Sequence, residues 1–363
     1  MFRITVKPQW HLESRDGGQR LSRLVELLAA TDEHGALAPA CREVGLSYRY
    51  AWGLLQESAT LFGAPLVNMA RGRGAELTPL AEKLVWADKR IAARLSPLLD
   101  SLASELEVEL ERAVSAAQPI LRLQASHGFA VETLRQWFTR QQIPLDLKYR
   151  TSFEAVAALH QHSCDMAGFP VPVGEFQAPV LRAYLAWLDA GSQRLIHLAS
   201  RRQGLIVAPK NPLAVRALTD LTRPGVRFVN RQPGSSTRAL LDLMLRHQRI
   251  DVARIQGYDS AEFTHAAVAA YVASGMAEVG LGVETAAQRF KLGFVPLCVE
   301  HYFFVCHTVL LRQPVMRRVL AALRSAEFHR AVSHLAGYDP RHCGEIRSLR
   351  AAFPEHAAMF RKR

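Results

Sequence analysis

The first third of the chain alternates short amphipathic segments with polar turns. Leucine and valine recur at helical spacing over residues 21–28, and the polar segment 31–35 ends that predicted helix at a glycine. A second short helix is predicted over 37–44, closing at Gly45, and a third over 47–57, capped by its first serine. A short helix, a glycine turn and a serine-capped helix predict a helix-turn-helix.

The segment after the third helix predicts a wing. Two short apolar stretches, 64–68 and 76–79, flank a tip rich in arginine and glycine. In a helix-turn-helix, the leading turn of the second helix enters the major groove of DNA. The predicted DNA-binding residues are therefore Ser47, Tyr48, Arg49, Tyr50, Arg71 and Arg73.

A leucine-rich helix is predicted next. Its apolar seam consists of Leu84, Ile91, Leu95, Leu98, Leu102, Leu106 and Leu110. An exposed seam must be buried, either by the same helix of a second copy or by the protein's own wing domain. Because proline lacks a backbone N–H, we expect Pro97 to kink or restart the helix near Leu95.

From Pro119 onward, predicted strands alternate with predicted helices. The strands are predicted over 120–125, 143–149, 164–168, 205–208, 226–230, 276–281 and 302–305. Such alternation predicts an α/β domain with a largely parallel sheet. A segment of this length favours two lobes over one.

The turn over residues 230–238 is the sharpest local signal in this region. It joins a strand to a helix through a glycine and three hydroxyl residues, an arrangement that offers free N–H groups and the helix dipole to an anion. Two similar turns lie at 126–128 and 151–153. We expect all three turns to converge in one cleft and to bind an anion without a full positive charge nearby. For each turn, helix capping alone is the alternative. The predicted ligand-binding residues are Ser126, His127, Ser152, Arg231, Gly234, Ser235, Ser236 and Thr237, with His265 and Tyr302 as neighbours.

Composition narrows the class of protein. The 363 residues are 49% hydrophobic and 21% charged, without the run of about 20 apolar residues that a membrane span needs. The N-terminus lacks a secretory signal, so we expect a cytoplasmic protein with no membrane partner. Five scattered cysteines indicate neither a disulfide framework nor a metal site. The net charge of +12 lies mainly beyond residue 118, which fits either attraction of an anionic ligand or a solvated basic surface.

These segments carry two family resemblances. Residues 21–85 resemble the N-terminal domain of ModE-type regulators, relatives of the LysR-type winged helix, through segments 32–35, 45–48, 51–52, 61–67 and 77–79. Residues 119–335 resemble solute-binding-protein-like sensor domains related to molybdate-binding proteins, through segments 152–155, 164–169, 230–238, 257–258, 264–269, 274–282 and 296–302. The implied fold is α/β overall: a winged helix-turn-helix over 1–80, a linker and dimerisation helix over 81–117, and a bilobed type II periplasmic-binding-protein-like domain over 118–363.

The resemblance implies a ligand-responsive transcription regulator. Its implied partners are double-stranded DNA, a small anionic effector and further copies of itself, in a dimer or tetramer. Molybdate or tungstate is the implied effector, with formate or another small carboxylate as the alternative, and no further cofactor is expected. The chain has no Gly-x-Ser-x-Gly, Walker or His-Glu-x-x-His motif, so we predict neither enzymatic activity nor catalytic residues. An enzyme or molybdenum-cofactor-handling protein, or a DNA-binding regulator with a purely structural sensor domain, remains the alternative.

Overall fold

The computed structural model describes residues 3–14, 17–70, 74–114 and 120–360. The chain divides into two compact units, one over Lys7–Ala93 and the other beginning at Arg94 and including the extreme N-terminus. The division falls inside one long helix. The domain limits 1–80, 81–117 and 118–363 concern independent folding and stay predictions.

The first unit contains the predicted helix-turn-helix and the two strands of a wing. Its elements are β1 His11–Ser14, β2 Gly17–Arg20, α1 Ser22–His34, α2 Leu37–Val44, α3 Tyr48–Phe62, β3 Val67–Ala70 and β4 Gly74–Leu77. Gly45 turns the chain between α2 and α3 with a φ of 67°, and the Ser47 hydroxyl accepts a hydrogen bond from the Tyr50 N–H at 3.2 Å. The β1–β2 hairpin was not predicted, because its sequence lacks apolar alternation.

The wing is fixed against the first helix of this unit. The Ala75 N–H donates to the Gly35 carbonyl at 2.8 Å, just beyond the end of α1. A Cβ on Gly74 would lie 2.1 Å from the Gly35 carbonyl oxygen, and the φ of Gly74 is +89°. Only glycine fits at this position. The fully buried Leu24, Leu27 and Leu28 of α1 form the centre of the core beneath.

Helix α4 runs without interruption over Pro79–Val114, 36 residues in all. The predicted restart near Leu95 is wrong, since Pro97 lies within the helix. A proline there removes one backbone hydrogen bond, a loss that the other contacts of a long, packed helix can offset. Four leucines of the predicted seam are exposed: Leu98, Leu102, Leu106 and Leu110.

The second unit is built on a ten-stranded sheet. Its strands are β5 Leu121–Ala125, β6 Leu145–Tyr149, β7 Met166–Pro172, β8 Gln193–Val207, β9 Phe228–Arg231, β10 Ala261–Glu262, β11 Val279–Val283, β12 Gly293–His307, β13 Tyr338–Asp339 and β14 Ile346–Arg347. Its helices are α5 Phe129–Arg140, α6 Ser152–His160, α7 Gln177–Tyr184, α8 Ser236–His247, α9 His265–Ala273, α10 Glu284–Arg289, α11 Pro314–Leu323, α12 Ala326–Ser333 and α13 Leu349–Ala352. Short 3-10 helices occupy Leu218–Thr222, Val252–Arg254, Leu310–Arg312 and Pro354–Phe360.

The strand order β10-β9-β11-β8-β12-β7-β5-β6 produces two lobes. The strands β5, β6 and β7 pair in parallel in one lobe, and β9, β10 and β11 pair in parallel in the other. The 15-residue strands β8 and β12 join the lobes, and all their pairings are antiparallel. The bilobed prediction is confirmed, whereas a largely parallel sheet describes each lobe but not the connection between them.

Candidate functional site

A cavity of about 870 Å³ opens in the second unit, where strand ends and helix N-termini of both lobes face each other. Most of the residues predicted to bind a ligand line it: Ser126, His127, Ser152, Arg231, Ser235, Ser236, Thr237 and His265. Gly234 lies in the same turn, with a φ of +81° that suits glycine. The hydroxyl of Tyr302 lies 3.1 Å from that of Ser126. The structure therefore brings the predicted residues together, and their role in binding stays a prediction.

Four helices, α5, α6, α8 and α9, begin at this cavity. Some of the hydroxyl groups are engaged in capping, as the alternative supposed: the Ser235 hydroxyl accepts from the Arg238 N–H at 3.1 Å. Others link neighbouring elements. The Ser152 and Ser236 hydroxyls, one from each lobe, are 3.4 Å apart. The N-termini of four helices favour negative charge at this place.

Arg231, the last residue of β9, is the least satisfied charged group of the cavity. Its side chain is only 4% exposed, and its Nε and Nη1 atoms are buried without a hydrogen-bond partner among the described residues. Burial, reinforced by repulsion from Arg201, lowers the pKa of the Arg231 guanidinium to about 9. The group is therefore still charged at neutral pH. The expectation of a cradle without a full counter-charge is wrong, because this guanidinium lines it.

Arg201, in the middle of β8, is charged and paired. It forms a 3.1 Å ion pair with Glu300 of β12, and both side chains are buried. Burial opposes the charge on Arg201, but the attractions of Glu300, Tyr338 and Tyr302 together outweigh it, so the Arg201 pKa is raised. Gln203 joins the network through its amide N–H₂ group, which donates to Glu300 at 2.9 Å and to the Thr237 hydroxyl at 3.1 Å.

Sequence reasoning missed Arg201, Gln203 and Glu300 because they lie inside long strands. In β8, Ser200, Arg201, Arg202 and Gln203 interrupt a largely apolar run between residues 195 and 207. That interruption shortened the predicted strand to 205–208. A charged block in the middle of a strand was the available signal for a buried polar site.

A second carboxylate belongs to Glu262 of β10. Glu262 lies opposite Arg231 in the parallel pairing of β10 with β9. Its side chain is fully buried, and Oε2 accepts a 2.6 Å hydrogen bond from Nε of Arg94, on helix α4. The other oxygen of Glu262, Oε1, is buried without a partner in the described part of the chain. The bond to Glu262 also raises the pKa of Arg94.

The two histidines of the cavity are neutral. Burial, and then the positive charge of Arg231, lowers the pKa of His127 to about 3. The same two causes lower the pKa of His265 well below its usual range, and no described residue bonds its buried Nδ1 atom. Gly168 makes room for Tyr302 beside them, since a Cβ there would lie 2.6 Å from the tyrosine oxygen.

The predicted DNA-binding residues of the first unit lie at the start of α3. Ser47, Tyr48, Arg49 and Tyr50 are all exposed, as a leading turn that reads base edges requires. Ser47, Arg49 and Tyr50 line a depression of about 370 Å³. The wing-tip residues Arg71 and Arg73 lie outside the described residues.

Within the described residues, no helix is long and apolar enough to cross a membrane. No three His, Cys, Asp or Glu side chains there are grouped so as to hold a metal ion.

Comparison with known proteins identifies the second unit. A model of the PBP superfamily domain matches residues 131–324. YvgK of Bacillus subtilis, an uncharacterised protein, is 30% identical over 209 residues, which are 57% of this chain; the match spans 66% of YvgK. The molybdenum-pterin-binding protein MopB of Rhodobacter capsulatus is 27% identical over 242 residues, covering 62% of this chain and 88% of MopB.

Among solved structures, a hydrogen-peroxide-bound cysteine-to-serine mutant of OxyR from Corynebacterium glutamicum is similar with a TM-score of 0.44. Its sequence is 14% identical, and the match covers 87% of this chain and 93% of that one. The family match and the relatives confirm the resemblance of the second unit to solute-binding proteins, including the molybdenum-binding relatives. The chain therefore belongs to the PBP superfamily-domain family.

Proposed function

We propose that this protein is a DNA-binding transcription regulator whose second unit binds a small anion and thereby changes the affinity of the first unit for DNA. The observation that carries the proposal is the buried guanidinium of Arg231, with two nitrogens that no described residue bonds, in a cavity where four helices begin. Burying an unpaired charge costs several kcal/mol. An anion at this position relieves that cost and completes the hydrogen bonds.

The first unit supports the DNA-binding half of the proposal. It combines an exposed leading turn at α3 with a wing fixed to α1, which is the arrangement that places a helix in the major groove. The exposed leucines of α4, spaced four residues apart, support a homodimer or a higher oligomer. A two-fold assembly would present two α3 helices to a two-fold symmetric DNA site.

The effector is proposed as an anion of the molybdate or tungstate type, or formate or another small carboxylate. The likeness to MopB favours a second candidate function, a molybdenum-pterin-handling protein. The two functions differ in whether occupation of the cavity changes DNA affinity. Cytoplasmic location and the absence of catalysis belong to the same proposal.

The proposal is tested by fluorescence anisotropy on labelled upstream DNA, titrated with full-length protein in the presence and absence of molybdate, tungstate and formate. We expect one anion to change the DNA affinity at least tenfold and to raise the melting temperature. Arg231→Gln should lose both responses and retain basal DNA binding. DNA binding that no anion changes would favour a purely structural sensor, whereas anion binding without DNA binding would favour the cofactor-handling function.

The DNA interface has its own variant. Replacing Arg49, Arg71 and Arg73 together by alanine should weaken DNA binding and flatten its dependence on salt, because each lost phosphate contact removes about 0.9 from the log–log slope. Unchanged affinity in this variant would remove the assignment.

A further inference from the structure

We propose that the effector is an organic anion with one negative head group and an apolar or aromatic body, and that this body lies against helix α4. The inference rests on the proposed function and narrows its ligand class. Of the two effector classes proposed above, it selects the carboxylate and sets aside molybdate and tungstate. Three properties of the cavity carry it: the charge at its polar end, the apolar side chains at its mouth, and its size.

The buried charges leave room for a single negative group. The guanidiniums of Arg94 and Arg201 are each paired with a carboxylate, Glu262 and Glu300 respectively. His127 and His265 are neutral, because burial lowers the pKa of each. Among the described residues that line the cavity, Arg231 is therefore the one buried positive charge without its own carboxylate. A monoanionic head group balances it, whereas a dianion such as molybdate would leave one negative charge to be stabilised by the helix N-termini alone.

At the rim the charges are balanced. Lys148 and Arg150 line the opening together with Glu105 and Glu154. The rim therefore adds no net charge that would favour a second negative group. The selective interaction lies at the buried end, where the dielectric is low and charge matters most.

Large apolar side chains are exposed to the same cavity. Phe263, just before α9, is 59% exposed, and Leu98 and Leu102 of helix α4 are 58% and 44% exposed; all three line the cavity. Apolar residues grouped in this way mark binding sites. Ligand pockets typically combine such a surface with a few placed polar groups. The structure thus offers an apolar seat beside the charged one.

The size of the cavity agrees with a larger ligand. Its volume of about 870 Å³ lies within the range of roughly 300–1,000 Å³ that is usual for drug-sized ligands. Formate or a tetrahedral oxyanion bound at Arg231 would fill only a small part of this volume. An aromatic monocarboxylate offers both a charged group for Arg231 and an apolar body for Phe263 and the leucines.

The exposed leucines of α4 could instead be covered by the same helix of a second copy of the chain. Leu106 and Leu110 continue the exposed stripe but do not line the cavity. Phe263 lies between β10 and α9 and is not part of the stripe. Variants at Phe263 and at Leu110 therefore separate ligand contact from helix pairing.

The test is isothermal titration of full-length protein with formate, molybdate, 2-naphthoate, pterin-6-carboxylate and the neutral 2-naphthamide. We expect one aromatic carboxylate to bind at least tenfold more tightly than formate and molybdate, and the neutral amide to bind at least a hundredfold more weakly than 2-naphthoate. Phe263→Ala should weaken the aromatic carboxylate about tenfold and leave formate unchanged. Leu110→Ala, the control, should alter neither affinity.

Two results would overturn the inference. In the first, molybdate or formate binds more tightly than both aromatic carboxylates, and Phe263→Ala has no effect. The site would then take a small inorganic anion or formate, and the proposed regulator would stand with a different ligand class. Binding of none of the probes, with the thermal stability of Arg231→Gln equal to that of the wild type, would overturn the anion site itself and the proposed sensing function with it.

Discussion

Replacing Arg231 by glutamine should make the ligand-free protein more stable while removing its ability to bind an anion. The guanidinium is buried, and no described residue bonds two of its nitrogens, so the wild-type protein carries a charge that Glu262, already bonded to Arg94, compensates only in part. Glutamine keeps a polar side chain of smaller size and removes the charge. Stability and binding should therefore change in opposite directions.

The magnitude follows from the lowered pKa. Burial and repulsion lower the Arg231 pKa to about 9, roughly 3.5 below the ordinary value for arginine, and at ~1.4 kcal/mol for each pKa unit this sets an upper bound of ~5 kcal/mol. The loss of the attraction to Glu262 and of side-chain packing reduces the gain. Replacement of a whole buried ion pair by well-packed apolar residues is often stabilising by ~1–4 kcal/mol; for the loss of the single, incompletely compensated charge of Arg231 we expect a gain of ~1–3 kcal/mol.

The pH dependence of the free energy of unfolding shows independently that the charge on Arg231 destabilises the folded protein. Because the folded-state pKa lies below the unfolded-state pKa, the charged guanidinium destabilises the wild type at every pH below about 9. Above that pH the folded protein loses the proton while the unfolded chain keeps it, so wild-type stability rises relative to the variant. The advantage of Arg231→Gln should therefore be full at pH 7 and shrink between pH 9 and 11.

The assay is urea unfolding of both proteins at pH 7 and pH 10, without anion. Arg227→Gln is the matched control, since Arg227 is close in sequence but half-exposed and ion-paired with Glu278 at 2.6 Å. That control should change stability by less than ~1 kcal/mol. If Arg231→Gln lowers stability by more than ~1 kcal/mol at pH 7, Arg231 is a structural residue and the argument for an anion fails.

Three further results should follow. Ser235→Ala combined with Thr237→Ala should abolish anion-dependent stabilisation in calorimetry, at a cost of ~1 kcal/mol for the lost helix cap; wild-type affinity would move the site elsewhere. Anion affinity should fall about tenfold per pH unit above pH 9 as Arg231 loses its proton, and a flat titration profile would contradict this assignment. The fragment 116–363 should fold, as judged by circular dichroism, but it should melt at a lower temperature than the fragment 94–363. The reason is that the hydroxyls of Ser101 and Ser104 accept backbone hydrogen bonds from the edge strand β6. Equal melting temperatures would show that these bonds add no stability.

The sequence by itself determined the local elements and their order. Helical periodicity, Gly45 and the serine cap at Ser47 specified the helix-turn-helix, because these signals act over a few residues. Alternation of strands and helices specified the α/β unit, and the length of the segment favoured two lobes. The strand-to-helix turns at 126–128, 151–153 and 230–238 indicated the cavity, since the carboxyl ends of parallel strands lie at one edge of a sheet.

Tertiary structure alone decided the electrostatics of that cavity. Arg201 and Gln203 are about a hundred residues from Glu300 in sequence, and they meet it only because β8 and β12 pair antiparallel across both lobes. The same pairing made a simple parallel sheet impossible. The charge state of Arg231 likewise depends on which groups burial places around it. Coulomb interactions and desolvation depend on distance in space, and a one-dimensional pattern carries no record of those distances.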